Sequence, residues 1–159
     1  MKLTEQEFSR IVKENKNAIY SACYMFSKDK DEVNDLFQEV LIKMWNGFMS
    51  YREDCPVSSW IWKISLNTCI SYVRKKKSHP TVPISMQADF FSDEDANTKQ
   101  IQALNKRIRK LGVMDRALIL LWLDNMTYEE IAAIIGITPN NVSVKLVRIK
   151  EKLLNMKEE

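Results

Sequence analysis

Glycine and proline are scarce in this chain, with three and four among 159 residues. Sandwiches, barrels and Gly-looped nucleotide folds need many turns, so this scarcity argues against them and favours long helices. Cysteine and histidine are scarce as well. Cys23, Cys55 and Cys69 form no CxxC pair, and His79 is the one histidine. They offer no convincing zinc site, and no metal or other cofactor is expected. Cys23 and Cys69 fall within helical patterns and read as small core residues. Long apolar runs are missing too. The longest, Ala117 to Leu123, has 7 residues, against roughly 18 for a membrane span. The first residues, Met-Lys-Leu-Thr-Glu-Gln-Glu, contain no apolar signal core. Membrane insertion is therefore not expected, and the expected compartment is the cytoplasm.

What remains is 45% hydrophobic and 28% charged, enough for a real core and too apolar for wholesale disorder. Charge is unevenly spread. Residues 1–77 hold 13 Lys and Arg against 10 Asp and Glu, and residues 99–159 hold 11 against seven. The intervening 78–98, SHPTVPISMQADFFSDEDANT, has four acidic residues and no basic one. That stretch carries two prolines and no 3.6-residue period, so it reads as a linker between two mildly basic modules. Phe90 and Phe91 are out of place in a purely solvated tether. Two basic modules point towards nucleic acid, weakly, because net charge alone discriminates poorly.

The class is all-α, with two small helical domains, since no strand-like alternation is sustained. Three helices precede the linker. The first runs from about Phe8 to Phe26 and is broken or frayed near Asn15 to Asn17. The second covers about 31–49. The third starts at Ser58 or Ser59, both good N-caps after Pro56, and runs to Lys77. Four more follow the linker, over about 99–111, 114–123, 127–135 and 139–155.

The second helix has two faces when its residues are placed at about 100° steps. Val33, Leu36, Phe37, Val40, Leu41, Met44, Trp45 and Phe48 share one broad core stripe. Opposite lie Asp35, Gln38, Glu39, Ile42 and Asn46. An isolated outward Ile usually means nothing. Here two carboxylates and an amide ring it, which suits a small patch for a basic, partly apolar protein partner. An ordinary solvated face is the plainer alternative.

The third helix is apolar on two sides, through Trp60, Ile61, Ile64, Thr68 and Tyr72 and through Trp62, Leu66, Cys69 and Val73. Its remaining stripe carries Lys63, Asn67 and Arg74, with Ile70 beside them. The run Arg74, Lys75, Lys76, Lys77 follows. Cations at a helix C-terminus can simply complement the dipole. A basic stripe with an amide also suits a phosphate backbone and unpaired bases. The preceding loop, Asn46 to Val57, holds Phe48, Tyr51 and Arg52, groups able to touch single-stranded bases.

Residues 127–142, TYEEIAAIIGITPNNV, form the most specific stretch. Thr127 and Glu130 make a capping box. Ala132 is small enough for a close helix crossing. Gly136 permits a left-handed turn. Thr138 caps the next helix and Pro139 takes its first position, where no donor is lost. Val142, Leu146, Ile149 and Leu153 then face the core. Pro139, Asn140, Asn141, Ser143, Lys145 and Arg148 are left outward. Amides and cations at the start of such a helix match major-groove readout by a helix-turn-helix.

With these motifs in hand, the chain resembles the short, two-domain extracytoplasmic-function group of bacterial RNA polymerase sigma factors, within the sigma-70 family. Asp35-Leu-Phe-Gln-Glu-Val-Leu-Ile-Lys-Met-Trp is similar to the family's core-binding helix. Trp60 to Lys77 is similar to its strand-capturing helix, and Tyr128 to Leu153 to its C-terminal helix-turn-helix. Ser71 stands where Asp is usual, and Val144 and Val147 where Ser and His are common.

The resemblance implies a transcription initiation factor, not an enzyme, with three expected sites. Asp35, Gln38, Glu39 and Ile42 would grip RNA polymerase core. Lys63, Asn67, Arg74 and Lys75 would capture the promoter's minus-ten strand. Asn140, Asn141, Ser143, Lys145 and Arg148 would read the minus-thirty-five duplex. It also implies a region 2 domain over 1–77, a linker over 78–98, a region 4 domain over 99–159 and an anti-sigma partner. A helix-turn-helix repressor acting without polymerase core is the alternative, but it would need neither the acidic face nor unpaired-base chemistry. A site-specific recombinase would need a nucleophile with convergent arginines, which residues 1–77 do not offer. On this reading, limited proteolysis cuts first within 78–98 and leaves two helical fragments. First cuts inside 31–49 or 127–150, read by mass spectrometry, would move the boundary.

Overall fold

The computed structural model describes residues 5–27, 29–48, 50–51, 55–76 with the backbone of 77–78, and 99–156. The expected linker beyond residue 78, with His79, Phe90 and Phe91, lies outside the described residues, as do Arg52 and the side chain of Lys77. Among the described residues there are seven α-helices and no strand. The chain divides into two compact units, one holding the first three helices and one the last four.

In the first unit, α1 spans Glu5–Met25, α2 Lys30–Phe48 and α3 Val57–Ser78. Contrary to expectation, α1 runs unbroken through Asn15 to Asn17. The Asn15 amide donates to the Ile11 carbonyl one turn back, at 2.9 Å. Its hydrogen-bonding capacity is thereby used along the helix rather than against it. At the end of α1, the buried Ser27 hydroxyl donates to the Cys23 carbonyl at 2.5 Å. Helix α2 is capped by Asp29, whose carboxylate accepts from the Glu32 N–H at 2.8 Å. Helix α3 begins before the expected serines. The Pro56 carbonyl accepts its first bonds, from Ser59 and Trp60 at 3.0 and 3.2 Å. Ser59 is buried in the first turn instead of capping it.

Three helices around one core must each bury a stripe. Ile19, Ala22 and Cys23 of α1 meet Val33, Leu36, Val40 and Met44 of α2 and Ile61, Leu66 and Cys69 of α3 in that core. Phe48 is buried with its ring 5.4 Å from Phe8 and 6.2 Å from Trp60. It therefore serves the core, as its place in the stripe of the second helix predicts, and not the loop, correcting the expectation that it is also able to touch bases from there. The hydrogen bond to Cys23, followed by burial, pushes the Cys69 thiol well above its ordinary pKa. Both cysteines are buried and free, as small core residues.

In the second unit, α4 spans Lys99–Arg109, α5 Val113–Leu123, α6 Tyr128–Ile135 and α7 Pro139–Asn155. Arg116 closes the turn between α4 and α5. Its guanidinium donates to the carbonyls of Arg109 and Leu111, both at 2.9 Å, satisfying acceptors that the end of α4 leaves open. Of the apolar run, Ala117 to Leu121 are buried, while Trp122 and Leu123 reach the surface.

The α6–α7 corner follows the sequence closely. The Glu130 N–H donates to Thr127 Oγ1 at 3.1 Å and the Thr127 N–H to the Glu130 carboxylate at 3.0 Å, completing the capping box. Gly136 ends α6 at φ 89°, in the left-handed region, with its N–H on the Ala132 carbonyl at 2.8 Å. A Cβ at that φ is strained even though space is open around it. Gly136→Ala is expected to destabilise the second unit by about 1 kcal/mol. Gly136→Asn should lose less, because Asn tolerates the left-handed region. Denaturant unfolding of the three proteins checks the order.

Candidate functional site

Three outward faces result from this packing, two on the first unit and one on the second. The first lies on α2. Val33, Leu36, Val40, Met44 and Phe48 take the buried side, so Asp35, Gln38, Glu39 and Ile42 are exposed opposite, Ile42 by 61%. Glu39 pairs with Lys43 one turn on, at 3.4 Å. Such an exposed pair is worth little by itself, but it moderates the negative charge at one end of the face. Trp45 departs from the expectation. It was expected in the core stripe, yet it is 44% exposed, with Phe8 packed edge-on at 5.1 Å. It lay at the rim of the stripe, about 280° round the helix from Asp35. The core reaches only as far as Phe48, so Trp45 widens the apolar part of the outward face.

The second face is on α3. Lys63, Asn67, Arg74 and Lys75 are all exposed, along with Ser71. Ile70, expected beside that stripe, is buried instead. The stripe is thus narrower and more uniformly polar than expected. The basic run at its end is divided. Lys76 is ion-paired with Glu32 of α2 and sits over the Tyr72 ring, 5.5 Å from its centre. Lys76 ties α3 to the start of α2, and Arg74 and Lys75 are exposed. Burial, and then the charges of Asp29 and Asp35, raise the pKa of Tyr72. The acidic end of α2 and the basic end of α3 are therefore neighbours. Above the start of α3, Tyr51 packs on Trp60 at 5.0 Å, and its hydroxyl donates to the Cys55 carbonyl at 2.5 Å.

The third face belongs to α7. Thr138 Oγ1 accepts from the Asn141 N–H at 3.2 Å, and Pro139 occupies the first turn. Val142, Leu146, Ile149 and Leu153 are buried, and Ala132 of α6 is buried where the two helices meet. Asn140, Asn141, Lys145 and Arg148 are exposed and Ser143 is half-buried. Two further cations of α7 turn back onto α5. Lys150 stands 4.0 Å from the centre of the Trp122 ring, and Lys152 donates to Asp115 at 3.1 Å. The basic groups of α7 are thereby sorted, with Lys145 and Arg148 on the outward side in the middle of the helix. Among the described residues, no helix is long and apolar enough to cross a membrane.

The two units coincide with two known protein families. Residues 11–79 match sigma-70 region 2, and residues 101–153 match sigma-70 region 4. The chain is 22% identical over 152 residues to the ECF RNA polymerase sigma factor SigM of Mycobacterium tuberculosis, covering 94% of this chain and 76% of that one. It is 27% identical over 164 residues to the ECF RNA polymerase sigma factor SigW of Bacillus subtilis, covering 94% and 88%. Its fold is shared by the sigma factor RpoE of Bartonella quintana, solved in complex with the anti-sigma factor NepR. That match has a TM-score of 0.78 at 22% identity and covers 93% of this chain and 94% of that one. CnrH, solved in complex with the cytosolic domain of CnrY, shares the fold at a TM-score of 0.72 and 20% identity, over 95% and 87%. Region 2 followed by region 4, with relatives that match along both, places the chain in the extracytoplasmic-function group of the sigma-70 family.

Proposed function

We propose that this chain is a transcription initiation factor that binds RNA polymerase core, directs it to specific promoters and promotes strand opening there. The observation that carries this reading is the presence of region 2 and region 4 in one chain, in that order. A repressor working without polymerase has no use for region 2. The factor acts in the cytoplasm and catalyses no reaction of its own. Its region 2 domain covers 1–77 and its region 4 domain 99–159, joined by a linker over 78–98. An anti-sigma protein is its second kind of partner, as complexes of that kind are known for RpoE with NepR.

Each outward face takes one task. On α2, Asp35, Gln38 and Glu39 surround Ile42, with Trp45 beside them, so an apolar centre has a polar, mostly acidic rim. Binding energy concentrates in such centres, and this one fits a basic, partly apolar surface on the polymerase core. Asp35→Arg or Ile42→Asp is expected to abolish core binding. Both positions are exposed, so helicity and melting temperature should stay nearly unchanged. Pull-down of core polymerase beside circular dichroism checks this, and undiminished pull-down by both variants would remove the α2 face from the interface.

On α3, Lys63, Arg74 and Lys75 hold the backbone of the minus-ten strand, and Asn67 pairs with the edge of an extruded base. Opening without chemical fuel requires the unpaired strand to be bound more tightly than the duplex. Unstacking costs a few kcal/mol, which these contacts must offset. Asn67→Ala is therefore expected to form closed complexes with core polymerase but to open the start site poorly. A pre-melted promoter bubble should restore much of the transcription. Permanganate footprinting is the measurement, and equal thymine reactivity in both proteins would make Asn67 structural. On α7, Asn140, Asn141, Ser143, Lys145 and Arg148 read the minus-thirty-five duplex from the major groove.

A further inference from the structure

The outward face of α7 contains two groups that polar readout leaves unused. Val144 is 50% exposed and Val147 54% exposed. At about 100° per residue, Val144 lies about 170° from the centre of the buried stripe formed by Val142, Leu146, Ile149 and Leu153. Only Glu151, two turns on and also exposed, is aimed as directly away from the core. Asn140 and Arg148 flank it within about 40° on either side, and Val147 lies about 60° off, one turn further along. Asn140, Arg148 and Lys145 are exposed beside it.

A β-branched apolar side chain at the centre of a helix face, inside a rim of amides and cations, calls for an apolar partner within a polar, anionic surface. Phosphate and sugar edges do not supply one. In the major groove the apolar group presented by an unmodified base pair is the 5-methyl of thymine, while adenine and guanine edges offer the acceptors and donors that suit Asn and Arg. The surroundings speak against a protein occupant. Protein interfaces deplete lysine and centre on aromatic residues, whereas this face centres on valine among Asn140, Lys145 and Arg148.

We infer that Val144, and Val147 one turn on, read thymine 5-methyl groups in the upstream duplex. The inference rests on the reading that α7 enters the major groove there. It makes the preferred upstream element contain thymine next to the bases contacted by Asn140 and Arg148. Burying one methyl is worth roughly fourfold in affinity.

The test uses the full chain bound to core polymerase. An upstream duplex is selected from a randomised pool, and each of its thymines is replaced in turn by deoxyuridine, which removes only the methyl. Wild-type holoenzyme should lose about fourfold in affinity at one or two positions. Val144→Ala should erase the loss at one of them and Val147→Ala at a neighbouring one. Both variants are on an exposed helix surface and keep the fold. Arg148→Ala is assayed alongside. If it weakens upstream binding while no thymine responds to deoxyuridine, the methyl inference is overturned and the groove reading stands. An undiminished methyl effect in Val144→Ala and Val147→Ala also overturns it, as does a selected element without thymine. If Arg148→Ala and both valine variants bind as wild type does, α7 is not the reading face and the inference falls with that reading.

Discussion

Each unit of this protein is a handful of helices, and a helix in a protein draws most of its stability from packing its apolar face against neighbours. Every helix must bury a stripe against its neighbours, and what cannot be buried becomes the working surface. In the first unit this constraint centres on α3. Ile61, Trp62, Ser65, Leu66, Thr68, Cys69 and Ile70 are all buried, so most of the circumference of α3 faces protein. The arc left to solvent is narrow, and Lys63, Asn67, Arg74 and Lys75 share it. On α2 the same requirement consumes Val33, Leu36, Val40, Met44 and Phe48, and leaves Ile42 outward among carboxylates and amides.

Charge is sorted by the same packing. Lys76, Lys150 and Lys152 are drawn onto Glu32, Trp122 and Asp115, where they tie neighbouring helices together. Individually such contacts add little to stability when they lie near water. Their larger effect is to fix Lys76, Lys150 and Lys152 against neighbouring helices. Lys63, Arg74 and Lys75 remain on one unit and Lys145 and Arg148 on the other, a distribution suited to a partner that is a polyanion along its length. The Lys76–Glu32 ion pair sets the basic end of α3 beside the start of α2.

The helix-turn-helix was the most legible part of the molecule from sequence. Its stops and starts depend on rules spanning three or four residues. Thr127 with Glu130, Gly136 in the left-handed region, and Thr138 before Pro139 each act locally, and each occurs as read. The exposure of Asn140, Asn141, Lys145 and Arg148 followed from the same register. Local rules were less reliable where a neighbour intervened. Asn15 did not break α1, because its side chain found the Ile11 carbonyl. Ser59 did not cap α3, because the helix already starts at Val57 and the Ser59 N–H is bonded to the Pro56 carbonyl.

By itself the sequence determined the all-α class, the helix registers, the caps of the second unit and the motifs of both sigma regions, because these reside in spacings of a few residues. Tertiary structure decided which residues at the margins of each stripe go in or out. Trp45 came out, Ile70 went in, and Lys76 turned to Glu32. The physical reason is that a helical period gives the direction of a buried stripe but not its width. The width depends on how many neighbours pack against the helix and at what crossing, and no local spacing encodes that.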